Sequence, residues 1–486
     1  MIPARADVVI VGGGSCGCVL AARLSDDPDR TVLVLEEGAV FGSVSAVPKE
    51  IRDAAVLPVG PESPWATSFP ARLTPDVDAT VTRGRVLGGS GAVNGAYFVR
   101  ARPADFASWP ASWSYEQVLP YFRATETDAD FTGDLHGASG PIQVARVPRD
   151  RMHPLSRAFT DAAERAGFAS AADLNAPGPE GVGAVPSNVR DGTRVSPFLA
   201  YLAPVLDRPN LTVVGGVSAT RVVISGDRAT GVEIAGPDGP RTVSAGHVIV
   251  AAGAVRSPQL LMLSGIGPAD ELRRLGIDPL HDLPGVGREF SDHPEFTVPY
   301  RFRPGLPPHT MLLETVLHTE NLEVRPYTAA FGAAIPGSGV PDPVLGVVLT
   351  RPRSRGRIVL DERDPRRPPL LDYRYLTDPA DRKTLEEGVR LATDLLAGVA
   401  GVVEAGSVDA GNGRLGTSLH LSGTCRMGDD EHAVVDEWCR VRGTDRLSVV
   451  DTSVFPQAPS RGPHATAVML AHRVATAAKA GLPYPV

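Results

Sequence analysis

Lysine is almost missing from this chain: Lys49, Lys383 and Lys479 are the only three in 486 residues. Arginine supplies the other positive charges, yet 48 basic residues face 56 acidic ones, for a net charge of −8. A standing partnership with nucleic acid is disfavoured, because phosphate binding needs a concentrated basic face. Cysteine is scarce too, and four thiols cannot frame a disulfide-rich fold of this length. Cys16 and Cys18 sit two apart on an expected helix and so point in different directions. Cys425 and Cys439 lack CxxC spacing. All four read as buried thiols, and no metal site is expected. No run of eighteen apolar residues occurs, so no helix is expected to span a membrane. Recognisable structure begins at residue 7, which leaves no space for a secretory signal. The expectation is a cytoplasmic location, free or at the inner face of the cell membrane.

What is present is an ordinary globular composition, 43% hydrophobic, in a chain long enough for two or three structural units. Residues 7–36 organise it. Residues 7–11 (DVVIV) have the character of a buried parallel strand. Gly12, Gly14 and Gly17 then make G-x-G-x-x-G, residues 15–24 continue as a helix, and residues 31–35 form a second strand ending at Glu36. In such a unit the first glycine turns the chain, the second lets backbone approach a pyrophosphate, and the third lets helix and strand pack. Glu36 is placed to accept ribose hydroxyls, about twenty residues on. Residues 13–17 also spell G-x-S-x-G, the nucleophile elbow of α/β-hydrolases, with Ser15 as nucleophile and His420 or His464 as its base. That elbow normally follows several earlier strands; this one follows the first, and Glu36 is left without a task.

Residues 39–79 are rich in Pro and Ser and read as an irregular excursion, with another near 110–190. Between them, residues 82–109 crowd Gly84, Gly88, Gly89, Gly91 and Gly95 around Asn94. Such density points to backbone pressed against a ligand. Together with the opening βαβ unit, the R-G-x-V-L-G-G-S-x-x-x-N pattern resembles the glucose–methanol–choline (GMC) family of flavoprotein oxidoreductases. The resemblance implies FAD along this stretch, with Asn94 near the isoalloxazine and Arg85, Gly88 and Gly89 in the cofactor wall. Ser15 then becomes a residue at the turn beneath the pyrophosphate. Some relatives attach FAD through a His just before this Asn; Val93 stands there, so FAD is expected without a covalent link.

Helices are expected at residues 113–124 and 155–167, and a broken one over 193–206. Residues 211–214, 219–224 and 230–234 read as consecutive antiparallel strands, which the resemblance sets, with Ala219, beside the adenine. Residues 247–268 repeat the strand–glycine–helix grammar, and the resemblance, in which this is the family's second signature, sets Ala252 beside the cofactor. In LPGVGREFSDHP (283–294), Glu289 replaces the family's usual Asn, and His293 is read as structural, away from the redox centre. Strands at 296–302, 344–349, 356–360 and 370–375 precede an amphipathic helix over 381–399. The expected fold is α/β. A Rossmann-like FAD-binding domain (residues 1–294 with 407–486) carries an inserted α+β substrate-binding domain (295–406) as a roof over the flavin. Proline-rich residues 306–343 are expected to shape substrate access.

The chemistry gathers near the end. HLSGTCRMG (420–428) begins where the family has its catalytic histidine, so the resemblance makes His420 the base. A histidine suits that task, since its ordinary pKa lies near neutrality. Residues 446–454 form a strand reaching Asp451, which the resemblance sets against FAD. PSRGPH (459–464) opens a last helix expected over 465–480. Many relatives carry a second catalytic His or Asn here. Ungapped counting from Asp451 reaches Gly462, and His464 follows two residues later; either His464 serves or Gly462 leaves a gap. The expected activity is oxidation of an alcohol, with hydride passing to flavin N5 while His420 takes the hydroxyl proton. The compact length and the SRGPH ending are most similar to the mycofactocin-associated branch. That implies reoxidation of a reduced peptide-derived redox carrier and electrons passed toward the respiratory chain. The alternative is a small-alcohol or choline-like dehydrogenase or oxidase. Choline calls for an anionic or aromatic cage, and none is evident in the sequence. A flavin-binding protein without turnover and a nicotinamide enzyme are the remaining classes.

Overall fold

Strand Arg5–Val11 forms the middle of a seven-stranded sheet. In the computed structural model, which describes residues 2–399 and 401–479, Val32–Leu35 and the long strand Gly239–Val250 flank it, both parallel to it. Gly239–Val250 changes partners midway. Its first half pairs antiparallel with Arg228–Gly236, and its end pairs parallel with Leu447–Val449. Ser218–Ser225 closes the antiparallel side. Val8, Val9, Ile10, Leu33 and Val34 are fully buried, as a parallel strand covered on both faces requires. Helix Ser15–Leu24 packs against the last helix, His464–Lys479, so the first and last elements meet. Ala480, the expected end of that helix, lies outside the described residues.

A second sheet is six-stranded and antiparallel throughout, in the order Arg414–Thr417, Pro294–Pro299, Val344–Leu349, Leu322–Pro326, Thr315–His318, Val182–Ala184. It draws its two edge strands from outside residues 295–406. Its faces are chemically different because successive side chains alternate. Val298, Leu317, Leu322, Val324, Leu345 and Val347 pack on helices Pro154–Arg165 and Pro379–Ala397. Glu295, His318, Glu323 and Arg325 take the alternate positions. A four-stranded sheet joins Arg357–Val359 and Leu370–Asp372 to the hairpin Ala66–Thr74/Val77–Gly84.

Several local expectations change. The excursion at 39–79 contains the strand Ala66–Thr74, whose Phe69, Ala71 and Leu73 are buried with exposed residues between them; Pro70 obscures that alternation in the sequence. Leu211–Val214 joins the parallel edge beside Val32–Leu35 instead of the antiparallel ribbon. Asn210 sets it there, donating to the carbonyls of Ser25, Asp27 and Arg30 in the loop before Val32. Residues 193–206 hold the second strand of a short hairpin, Thr193–Arg194, then a π-helical turn capped by Pro197 and a 3-10 turn containing Pro204. Residues 306–343 include two buried strands, Thr315–His318 and Leu322–Pro326. Glu289 adopts φ +51°, a left-handed conformation that Asn accepts more readily, which gives a physical meaning to that departure. Among the described residues no helix is long and apolar enough to cross a membrane.

Candidate active site

A cavity of about 800 Å³ opens between the C-terminal ends of the parallel strands and the polar face of the six-stranded sheet. Gly12, Gly14, Ser15, Glu36, Arg85, Gly89, Asn94, Ala219, Ala252, His420, Asp451 and His464 all line it. Of the sequence-predicted residues, Gly17 and Gly88 do not; they shape it from behind. A Cβ at Gly17 would lie 2.0 Å from the Gly12 carbonyl oxygen, so only glycine lets Ser15–Leu24 start there. Gly12 has φ +101°. Gly14, by contrast, has nothing closer than 3.8 Å to a Cβ, leaving backbone bare toward the cavity. Gly88 N–H donates to the Gly13 carbonyl at 2.7 Å, joining the two glycine stretches.

The acids there hold backbone as well as facing the cavity. Glu36 accepts from Gly13 N–H and Gly38 N–H, each at 2.8 Å, which leaves each oxygen a further lone pair. Asp451 accepts from Gly253 N–H (2.8 Å), Ser257 Oγ (2.6 Å) and Ser453 N–H (2.8 Å). It thereby fixes the turn after Gly239–Val250. Burial pushes both carboxyls up, against the pull of these donors. Asn94 Oδ1 accepts from Ala96 N–H at 2.9 Å, so the donor end of its amide is what remains for the cavity. Val93 is packed in the core.

His420 is held by its backbone and by a second imidazole. Leu419, just before it, has φ +63°, an outlier for a bulky residue. Arg83 pins that turn by donating to the Leu419 carbonyl at 2.9 Å. The buried Asp292 carboxylate accepts from both His293 N–H and His420 N–H at 2.7 Å. One side chain thus sets both histidines. Their Nδ1 atoms are 2.9 Å apart and share a hydrogen bond. His293, expected to stand away from the redox centre, is therefore in direct contact with His420. Nothing local in D-H-P signals this; the contact depends on the neighbouring Ser291 and Ser422 backbones pairing across the fold. Burial pushes His420 well below its ordinary pKa, aided by His293, Arg325 and Arg83, and pushes His293 down to about 3.

Gly462 and His464 divide the task that the sequence left open between them. A Cβ at Gly462 would lie 3.6 Å from His420 Nε2, so position 462 is the one beside the base. His464 sits elsewhere. Its Cε1 would lie 2.7 Å from a Cβ at Gly91, next to Ser15 Oγ, and its ring packs edge-on against Phe98. Its buried Nε2 has no protein partner. Ser15 Oγ makes only a 3.5 Å contact with the Gly88 carbonyl. An unpaired imidazole nitrogen, bare glycine backbone and a helix N-terminus on one cavity fit an anionic dinucleotide.

The remaining chamber wall is Tyr97, Glu295, Arg325, Tyr327 and Ser418, with Leu312, Leu313, Phe331 and Ile335. Six of the nine fall within residues 306–343, the segment expected to shape substrate access, but the sequence reading does not single out the Glu295–Arg325 cluster. A buried L-E-V-R-P strand, with charges on alternate positions, is the signal that could have found it. Elsewhere, Glu126, Asp128 and His136 have spacing that could hold a metal ion. His136 instead bonds to all three of Glu126, Asp128 and Asp173, and Arg100 and Arg146 balance the carboxylates. Burial opposes a charge on His136, but those bonds win and raise it to about 10.

Family models described as GMC oxidoreductase match residues 6–295 and 352–471. An uncharacterized GMC-type oxidoreductase of Rhodococcus erythropolis is 49% identical, over 96% of this chain and 97% of its own length. An oxygen-dependent choline dehydrogenase of Vibrio vulnificus is 33% identical, over 96% of this chain and 93% of its own. Among solved structures, pyridoxine 4-oxidase from Mesorbium loti superposes with a TM-score of 0.89 at 29% identity, covering 97% of this chain and 98% of that one. A formate oxidase of Aspergillus oryzae gives 0.87 at 25% identity, covering 98% of each.

Proposed function

Since this chain belongs to the GMC oxidoreductase family, FAD-dependent enzymes acting on CH–OH groups, we propose that it oxidises an alcohol with His420 as the base. When bound, FAD supplies the hydride acceptor. Gly12, Gly14 and Ser15 would take the pyrophosphate at the N-terminus of Ser15–Leu24, and Glu36 the ribose. Arg85, Gly89, Asn94, Ala219 and Ala252 would line the rest, with no bond through Val93. His464, on the same cavity with a buried Nε2 that has no protein partner, would belong with the cofactor. Residues 1–294 with 407–486 form the cofactor unit, and 295–406 most of the roof.

The observation that carries the reading is the His293–His420 pair beside Gly462. A proton on His420 Nδ1, donated to His293 Nδ1, leaves His420 Nε2 with a free lone pair. Glycine at 462 leaves the space in front of it open for a hydroxyl. The depressed pKa keeps this nitrogen unprotonated at neutral pH, ready to take the hydroxyl proton. Asp292 and Arg83 hold the backbone around His420, and His293 holds its ring, so the proton moves at one atom. Membership of the family sets aside Ser15 as a hydrolase nucleophile.

The finer reading keeps the reduced mycofactocin carrier as the donor and the respiratory chain as the electron outlet. It is supported by the compact length and the Ser460–His464 ending. Anaerobic mixing with neutral alcohols, choline and the reduced carrier tests both levels. Bleaching of the flavin by an alcohol, lost in His420→Ala, is the expected result; bleaching that survives His420→Ala would remove the base. Rapid recolouring on admitting oxygen would count against the respiratory outlet. Flavin that stays with the denatured protein would overturn the non-covalent assignment.

A further inference from the structure

The chamber wall contains an anion that is already spoken for. Glu295, and Glu323 with Arg325, project from the two strands that flank Val344–Leu349, on the cavity face of the six-stranded sheet, all at most 6% exposed. Arg325 Nε donates to Glu323, and its NH1 donates to Glu295 Oε2 at 3.2 Å and Ser418 Oγ at 3.1 Å. Glu295 also accepts from Tyr327 OH at 2.6 Å and Ser418 Oγ at 2.8 Å. Gly346, on the strand between, makes the room: a Cβ there would lie 2.4 Å from Glu295 Oε1. Glu295 is two residues beyond His293, and Ser418 two before His420, so this cluster borders the base. The other carboxylates named along the cavity, Glu36 and Asp451, belong to the nucleotide cleft.

A lone carboxylate beside Tyr97 and Tyr327 would make a cage for an ammonium group. Here the guanidinium occupies it. A cationic alcohol would surrender its hydration to a carboxylate that already accepts three hydrogen bonds, beside a fixed positive charge. An uncharged alcohol with an apolar body meets Leu312, Leu313, Phe331 and Ile335 instead. We propose that Arg325 is the specificity-determining residue of the chamber: by holding Glu295 it bars alcohols carrying a quaternary ammonium and selects uncharged ones. The proposal rests on the alcohol-oxidation reading above.

The test uses the FAD-loaded enzyme, anaerobically, with choline and its uncharged carbon isostere (a tert-butyl group in place of trimethylammonium). The isostere should bleach the flavin with a second-order rate at least about tenfold above choline. The double variant Arg325→Met/Glu323→Gln removes one charge of each sign and frees Glu295. It should shift the ratio toward choline by about tenfold or more, and calorimetry should detect tetramethylammonium binding that the unaltered enzyme lacks. If the double variant does not load FAD, Glu295→Gln decides. It leaves Arg325 without one anion, so discrimination against choline should rise by about tenfold. Choline matching its isostere in the unaltered enzyme overturns the proposal, and so does an unchanged ratio in whichever variant loads. If neither alcohol, nor any other, bleaches the flavin, the alcohol reading fails first and takes this proposal with it.

Discussion

The nucleotide cleft and the alcohol chamber share one cavity but are built by opposite means. The cleft is made of backbone and small residues that lie close together in the chain: Gly12 and Gly14 before one helix and Gly17 in its first turn, Gly88 and Gly89 on the loop that bonds to it. The chamber is made of large polar side chains from separated segments, Tyr97, Arg325 and His420, with Gly462 beside them and His293 behind His420. Failure should therefore differ in kind. The cleft breaks when volume is added, and the chamber breaks when a functional group is removed. Gly17→Val puts the comparison at its most severe. Its Cβ would lie 2.0 Å from the Gly12 carbonyl oxygen, where backbone cannot yield cheaply. Loss of the flavin spectrum and a fall in stability of about 1–3 kcal/mol or more are expected, measured by absorbance and denaturant unfolding. A yellow, normally stable Gly17→Val protein would mean that the cleft tolerates volume after all.

His420→Ala is the matching lesion in the chamber. It should lower substrate-driven flavin reduction by about a thousandfold while leaving the flavin spectrum in place. The cleft is legible in the sequence because its geometry is local: spacing of three glycines, a strand before, an acid after. The chamber is legible only where a single residue carries a recognisable motif, as at His420. His293 contacts His420 because Ser291 and Ser422 pair across the fold, and no local spacing encodes that pairing. Arg325 meets Glu295 because both flank Val344–Leu349, a register that hydrophobic pattern alone does not reveal. Likewise Leu211–Val214 has ordinary strand composition, and its place at the parallel edge is decided by the distant hydrogen bonds of Asn210.

His293→Ala sharpens the chamber side. Without its Nδ1 partner the His420 ring loses one orientation and one tautomer, and the reduction rate should fall by about ten- to a hundredfold. The substrate half-saturation value should change little, which a merely loosened chamber would not produce. A His293→Asn variant, which can still accept from His420 Nδ1, should recover part of the loss. Equal loss in both variants would show that the ring matters as bulk.

The buried histidines at this shared cavity and His136, outside it, should also respond to pH with opposite signs. His293 and His464 are pushed down to about 3 and about 4, mainly by burial, below the ordinary histidine value of about 6.5. The unfolded chain then binds more protons, so stability should fall as pH drops below about 6.5, by at most about 1.4 kcal/mol per pH unit for each histidine. His136 is raised to about 10. Its contribution is complete below about 6.5 and should be lost as pH climbs through about 10. Unfolding curves for the His464→Ala and His136→Gln variants separate the limbs. An alkaline limb left unchanged by His136→Gln, or flattened by His464→Ala, would reverse this assignment.

The smallest effect is expected where the two building styles meet. Gly462 belongs by size to the cleft and by position to the chamber. An alanine there would place its Cβ 3.6 Å from His420 Nε2 and 3.8 Å from Val99, ordinary contact distances that need no rearrangement. If the glycine serves only to keep space open for the hydroxyl, Gly462→Ala should cost small alcohols little, within about threefold. Bulkier alcohols should lose about tenfold, because one buried methyl is felt in a packed site. Gly462→Asn adds both volume and a hydrogen-bonding amide beside His420. If it reduces flavin more slowly than Gly462→Ala with the same small alcohol, the open space is what the chamber uses. If it is faster, position 462 is a vacancy for a second polar group, and the chamber follows the two-residue pattern from which Gly462 departs.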